Sequence, residues 1–348
     1  MNAFMMGMMD YIYINYGPTI PKMTSHEISL AIEKVIRENS GQILYNTKVD
    51  EILVKNQKAY GVVANGKTYF AKNIICNAYP NDIFGKMIKK SQVPQIELKR
   101  INARPLALSF LTVYLGLNKS AQELGIKDYT VFLQEKSSPK EQFELSHSLG
   151  GKGWIIVNCL NVAVPDCTPN GTCQLSFTTS VYGDEWKNVK IQDYKKTKLK
   201  LAQEMIDYYE KTLNISIKPF IEEIEVASPV SFARFLGSPN GTPYGYQTSN
   251  WDGIFPRTIL KKKEKTIENL YFVGAYTEGS LGYNQTYKSG YNAVEEILKK
   301  SSVWQKTINV IPNRLLSICR TIISESSDSY YSNSSRTKFA MTITKNKA

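Results

Sequence analysis

The chain has 348 residues, of which 42% are hydrophobic and 21% charged, with 21 glycines and 14 prolines; this ordinary globular composition excludes wholesale disorder, collagen and a bundle of membrane helices, and suits about two domains. Lys and Arg number 43 against 31 Asp and Glu, a formal net charge of +12, which favours anionic surroundings such as phosphate esters, nucleic acid or acidic lipid without choosing among them. Two histidines, His26 and His147, leave little for a histidine-rich metal site or a hydrolase triad, and five cysteines without a CxxC indicate neither a disulfide framework nor a zinc ribbon.

The first residues are rich in methionine and aromatics but lack a basic stretch and carry Asp10, so they make a poor secretory signal. A reducing, cytoplasmic setting is the expectation. Thr24 and Glu27 spell a capping box, and Ile28, Ala31, Ile32, Val35 and Ile36 recur at helical spacing, which predicts a helix over 25–38 ended by Gly41. Residues 42–45 and 49–54 read as short strands. Residues 59–64, the turn Asn65-Gly66 and residues 67–71 read as a hairpin, and 73–76 as one more apolar strand.

Residues 83–100 mix helical and loop signals. Four stretches, 107–117, 129–133, 154–164 and 173–182, then alternate like strands of an antiparallel sheet. An amphipathic helix over 191–213 follows, with Leu199, Ala202, Met205, Ile206 and Tyr209 on one face. Tyr244, Tyr246, Trp251 and Phe255 form an aromatic stripe that suits an apolar tunnel wall and core packing equally well. After Lys300 the composition shifts: a short basic amphipathic pattern precedes residues 324–348, rich in Ser, Thr and Lys and expected to be disordered.

The sharpest segment is 269–299. It reads as a strand over 269–273, a loop bearing Gly274, Gly279 and Gly282, and a helix over 283–299. A helix start of this kind aims free N–H groups and a positive dipole end at an anion, which suits the charge a flavin ring gains on reduction. Strand, glycine loop and helix also recur in many α/β proteins for packing reasons alone.

Three stretches together extend this reading. Gly274-Ala275-Tyr276-Thr277 and Gly282-Tyr283 through Ser289-Gly290 match a strand running into G-A-W/Y-T and a G-Y-x-x-x-x-x-S-G helix start. Pro21-Lys22-Met23-Thr24-Ser25, Asn46-Thr47-Lys48-Val49-Asp50-Glu51-Ile52 and Lys58-Ala59-Tyr60-Gly61-Val62 match an earlier pattern in order, and Val164-Pro165, Tyr182-Gly183-Asp184 and Ser228-Pro229 lie between. The sequence resembles the phytoene desaturase, carotenoid isomerase and retinol saturase group of FAD oxidoreductases, relatives of the flavin amine oxidases, from about residue 16 to 298. Met23-Thr24 stands where the group has Gly-Gly, and Gln285 where it has a glycine.

The resemblance implies a mixed α/β chain: an incomplete, Rossmann-like FAD-binding domain from residues 1–79 and 250–301, an antiparallel-sheet substrate domain over 80–249, and a tail over 302–348. It implies that Val49 meets the adenine or ribose of FAD through its backbone, and that Gly274, Ala275, Gly282, Tyr283 and Asn284 line the ribityl chain and flavin ring. The expected activity is hydride transfer between FAD and an apolar polyene, a carotenoid or retinoid, drawn from a membrane surface, without a named acid–base pair and without a metal. The group opens with a βαβ unit bearing G-x-G-x-x-G, which this sequence lacks. Met1 is therefore expected to correspond to an internal position, and the chain to be a truncated product or one part of a split enzyme with an N-terminal partner chain. The alternative is a catalytically silent binding module. Nucleic-acid binding rests on net charge alone and is not expected. His26 is expected to be a solvated neighbour of the helix start, His147 a loop residue without a catalytic partner, and the run 261–265 a solvated basic loop with membrane-surface attraction as its second reading.

Overall fold

The computed structural model describes residues 11, 14–15, 20–21, 25–134, 138–151, 153–247, 266–277 and 282–300. Met23, Thr24, Trp251, Phe255, Gly279, the basic run 261–265 and the tail 302–348 lie outside the described residues. The described residues fall into two units, one holding those up to Tyr45 with Ala163–Cys167, the other Asn46–Val162 and those from Thr168 onward.

In the first unit the expected helix forms as α1, His26–Glu38, with Ser25 at its N-cap making no side-chain capping bond. Ser40 adopts a left-handed φ of 62°, and the Gly41 N–H donates to the Ile36 carbonyl at 2.8 Å, folding the chain back along the helix. Residues 42–45, expected as a strand, are instead irregular. The Tyr45 hydroxyl bonds the Glu33 carboxylate, which Arg37 also holds at 2.7 Å, so this stretch is anchored by side chains where a strand would use its backbone.

The second unit begins with an antiparallel meander: β1 (Val49–Lys55), β2 (Lys58–Ala64) and β3 (Lys67–Phe70). Both connections are two-residue turns with left-handed residues, Asn56-Gln57 and Asn65-Gly66, the geometry that matches strand twist. Next comes the short strand β4 (Ile74–Cys76), then a π-helical turn at Ile83–Met87 and α2 (Gln95–Asn102).

Five strands build the larger sheet: β5 (Ser109–Leu117), β6 (Thr130–Leu133), β7 (Ile155–Cys159), β8 (Cys173–Val181) and β9 (Ile221–Ala227), all antiparallel in the order β6-β7-β8-β5-β9. The helix α3 (Pro139–Ser146) lies between β6 and β7 in sequence, and α4 (Ile191–Leu213) spans the stretch predicted for it. The buried face of the sheet carries Leu111, Val113, Val157 and Phe177, and packs with Ala202, Met205, Ile206 and Tyr209 of α4. The Phe177 and Tyr209 rings meet edge to face at 5.1 Å.

Two departures from expectation have local causes. Strand β7 stops at Cys159, because Asn161 turns its side chain inward: its Oδ1 accepts from the Gln174 N–H at 2.9 Å and its Nδ2 donates to Thr168 Oγ1 at 2.6 Å. Strand β9 escapes the alternation rule because it is a sheet edge, with Glu222, Glu223, Ile224 and Glu225 all exposed. After it, Ser228 and Ser231 form a reciprocal capping box that opens α5 (Pro229–Leu236), and Gly237 ends that helix at φ 63°.

The chain finishes its described part with β10 (Leu270–Phe272) and α6 (Gly282–Lys299). Strand β10 pairs in parallel with β4, Leu270 against Ile74 and Phe272 against Cys76. A second core gathers here from Ile52, Ile74, Ile83, Phe84 and Leu270. The fold is thus mixed, an antiparallel sheet joined to a small parallel pair. Among the described residues no helix is long and apolar enough to cross a membrane.

Candidate functional site

Strands β4 and β10 run side by side, so the segments that follow them leave the sheet together at its carboxyl end, where open α/β sheets place their ligands. Val273 extends the pairing, its N–H donating to the Cys76 carbonyl at 2.9 Å. Gly274 comes next, buried and at φ +87°. A Cβ there would lie 1.7 Å from Asn77 Oδ1, so the two strand ends touch through a glycine that no other residue can replace without a shift.

Hydrogen bonds then fix the loop to the helix. The Gly274 N–H donates to Ser289 Oγ at 2.8 Å, and Ser289 Oγ donates to the Thr286 carbonyl at 2.6 Å. Thr277 Oγ1 donates to the Gly274 carbonyl at 2.8 Å, closing a tight turn. Ser289, part of the pattern running from Gly282 to Gly290, therefore ties α6 to the strand end. At the start of α6, Gly282 has φ +72° with none of the described residues within 4 Å of where its Cβ would be, while Tyr283 is exposed and stacks on Tyr287 at 6.2 Å. The N–H groups of this first turn have no intrahelical acceptor. Gln285 is exposed on the same turn.

Beside the loop stands a group of tyrosines. The Tyr276 ring lies 4.9 Å from Tyr79, which follows β4, and 5.7 Å from Tyr246. Tyr246 donates its hydroxyl to Asn81 Oδ1 at 2.8 Å, and the Arg104 guanidinium lies 4.5 Å over its ring. Gly245, at φ +74°, brings this segment against Ala275: a Cβ there would lie 2.4 Å from the Ala275 carbonyl oxygen. Burial pushes the Tyr276 phenol up to about 12 and raises Tyr246 further, so both rings stay protonated.

Of the residues expected at the site, Gly274 meets Asn77, Ala275 packs against Gly245 beside Tyr246, and Gly282, Tyr283 and Asn284 open α6. Val49 stands on a different sheet, heading β1 opposite Ala64. Tyr246 came from the aromatic stripe. Asn77, Tyr79 and Arg104 were missed; Asn77 and Tyr79 directly follow the strand β4, and that position was their signal. His147 does have neighbours: it stacks on Tyr182 at 4.1 Å and its Nδ1 lies 3.5 Å from Glu185.

No family model matches the chain. It is similar to the chloroplastic prolycopene isomerase of Daucus carota, 30% identical over 250 residues, which are 71% of this chain and 38% of that protein. It is also similar to the 1-hydroxycarotenoid 3,4-desaturase of Flavobacterium sp. (strain P99-3), 24% identical over 273 residues, with 77% of this chain and 53% of that one covered. A solved putrescine oxidase shares the fold at a TM-score of 0.50 and 12% identity, over 80% of this chain and 53% of that chain. The chain spans from about two fifths to about half the length of these curated relatives. The motif residues are seated on the strand, loop and helix described above, and over some three quarters of its sequence the chain is similar to carotenoid isomerases, carotenoid desaturases and a retinol reductase.

Proposed function

We propose that this chain is the flavin-ring and substrate part of an FAD-dependent oxidoreductase that desaturates, saturates or isomerises an apolar polyene, a carotenoid or a retinoid. The observation that carries the reading is the junction at Gly274, where two parallel strand ends, a glycine loop and a helix start converge beside three tyrosine rings. These residues fit the ring end of a flavin. Among the described residues none crowds Gly282 at the helix start, and the first-turn N–H groups suit an anionic edge. The pyrophosphate end is a different matter, because the chain contains no G-x-G-x-x-G.

Bound FAD would supply a hydride acceptor or donor at N5 of its ring. Around it, Gly274, Ala275, Gly282, Tyr283 and Asn284 would hold the ring and ribityl chain, and the Val49 backbone the adenosine end. Tyr79, Tyr246 and Tyr276 give an apolar wall whose phenols hold their protons, with Arg104 braced against Tyr246. In this reading residues 1–79 and 250–301 serve the cofactor and 80–249 the polyene, while a dinucleotide-binding βαβ unit comes from a partner chain or from elsewhere in a longer one.

The test is reconstitution. The purified chain is incubated with FAD, alone and together with a separately expressed G-x-G-x-x-G unit from a relative, and then desalted. Retained yellow colour and quenched flavin fluorescence in the mixture, followed by a change in polyene absorbance, is the expected result. A mixture that stays colourless and leaves FAD fluorescence untouched defeats the reading and leaves the binding-module alternative.

A further inference from the structure

Burial acts in opposite ways on two cysteines of this chain. In the smaller core it pushes the Cys76 thiol up to about 11. Cys159 and Cys173, in the larger core, are buried more deeply, each at 1% exposure. The Cys159 thiol nevertheless lies below its ordinary value, because the Cys173 thiol donates a hydrogen bond to its sulfur, and the backbone N–H groups of Val162 and Asn161 donate two more. Cys159 is therefore a buried thiol whose neighbours favour its reactive form.

Strand register brings the two sulfurs together. Cys159 ends β7 opposite Leu175 of β8, so Cys173, the first residue of β8, is its diagonal neighbour on the same face of the sheet. From α4, Tyr209 faces the pair: burial pushes its phenol up to about 12, with Cys159 and Cys173 the next largest influences. Among the described residues no group of three His, Cys, Asp or Glu side chains is placed to hold a metal, so the chemistry available here is that of two thiols. Both sit at strand ends. The turn joining these ends is pinned by Asn161 to Gln174 and Thr168, and by the Thr168 hydroxyl donating to the Thr172 carbonyl at 3.1 Å, while Pro169, Asn170 and Gly171 are exposed. Local opening of such a turn admits a small solute without unfolding the sheet.

We propose that Cys159 and Cys173 form an oxidation site, at which hydrogen peroxide, a small uncharged oxidant, converts the two thiols into a disulfide joining the end of β7 to the start of β8. The Cys159 sulfur attacks one peroxide oxygen, the O–O bond breaks, and a sulfenic acid and one water result. The Cys173 sulfur then attacks the sulfenic sulfur; the S–S bond forms, and the hydroxyl leaves with the Cys173 proton as a second water. Two thiols lose two electrons, and one peroxide becomes two waters. A dithiol reductant reverses the change by exchange. The bond closes the stretch Cys159–Cys173 into a loop and restricts chiefly the unfolded chain, so the oxidised protein is the more stable form. None of this depends on flavin or polyene.

Thiol mapping of the full chain tests the site. The reduced protein is treated with hydrogen peroxide in native buffer, alkylated in denaturant, digested and analysed by mass spectrometry. The expected product is one cross-linked peptide pair, Cys159 with Cys173, two hydrogens lighter than the separate peptides and returned to two alkylated thiols by dithiothreitol. Its formation should speed up severalfold in urea well below the unfolding transition, because opening of the turn limits access. The oxidised protein should unfold at higher denaturant than the reduced one. In Cys173→Ala, whose fold is verified by circular dichroism, dimedone should capture Cys159 as its sulfenic acid and the stability rise should vanish. The proposal is overturned if both cysteines remain fully alkylatable after peroxide treatment of the wild type, a result that needs no variant. It is equally overturned if the cross-link joins either of them to Cys76, Cys167 or Cys319, or if oxidation leaves the denaturation midpoint where it was.

Discussion

The two cores of the second unit are built on different terms. In the larger, β5 and β8 pair over nine residues, from Ser109 opposite Val181 to Leu117 opposite Cys173, and the 23-residue α4 covers one face. In the smaller, β4 and β10 are three residues each, parallel, and almost two hundred residues apart in sequence. A parallel pair that short has too few hydrogen bonds to hold itself, and two-stranded sheets are marginal even when antiparallel. Its neighbours hold it: the Ala59 N–H donates to the Glu268 carbonyl at 2.9 Å, and Phe84 packs on Phe272 at 5.5 Å. Stability is concentrated in the large sheet, whereas the glycine loop sits on the region that depends on others.

The most forceful way to break this contrast is Phe177→Ala. Phe177 is fully buried between β8 and Tyr209, and its loss should cost about 3–5 kcal/mol in chemical denaturation. If the contrast holds, native-state hydrogen exchange shows the Leu270–Phe272 amides opening before those of β5 and β8 in the wild type, with Phe177→Ala bringing the two closer together. Equal protection of both sheets in the wild type would mean a single cooperative core.

Alkaline pH tests the smaller core by itself. Burial pushes the Cys76 thiol from an ordinary 9.0 up to about 11. Between those values the folded chain keeps a proton that the unfolded chain releases, so this contribution is whole below about pH 9 and is lost as pH climbs toward 11. The drop should reach about 2–3 kcal/mol. Because tyrosines titrate in the same range, the measurement is the difference between wild type and Cys76→Ala, whose unfolding free energies should converge as pH rises. A constant difference would show that Cys76 is not buried as a thiol.

At Gly274 the effect should be smaller for the fold and larger for the site. Gly274→Ala places a Cβ at a left-handed φ, worth about 1–2 kcal/mol, and pushes Asn77 aside. The companion change Asn77→Ala relieves the contact but not the backbone strain, so the double variant should recover only part of the loss. Flavin binding in the reconstituted mixture should fall in Gly274→Ala whether or not Asn77 is truncated. Full recovery in the double variant would mean that the contact alone, and not the turn geometry, makes glycine necessary.

Much of this was legible in the sequence because it depends on local chemistry. The Asn65-Gly66 turn, the helix over Ile191–Leu213 and the strand, glycine loop and helix around Gly274 each announce themselves within a few residues. What stayed hidden depends on partners remote in sequence. Strand β9 reads as a polar run because only Val226 is buried on an edge, and residues 42–45 look like a strand until Tyr45 finds Glu33. The tyrosine group assembles Tyr79, Tyr246 and Tyr276 from three distant segments, and Arg104 joins them from a fourth. No periodicity encodes such a meeting. The alternation of β5 and β8 told which face is buried but not that β9 would pair with β5.

The smallest expected effect lies at the seam between α4 and α5. Tyr194→Phe removes a hydroxyl shared with Ser228 and Ser231 while keeping the ring against Trp186, 6.0 Å away. The capping box survives, because the Ser228 N–H donates to Ser231 Oγ and the Val230 N–H to Ser228 Oγ. The loss should therefore be about 1 kcal/mol, well under that of Phe177→Ala although both residues pack in the same region of α4 and its sheet. If the loss instead matched the cavity-forming change, the seam would be part of the main core and α5 a structural strut of it. A small loss, with faster exchange confined to the Pro229–Leu236 amides, leaves the helix as a separately tunable element on a rigid sheet.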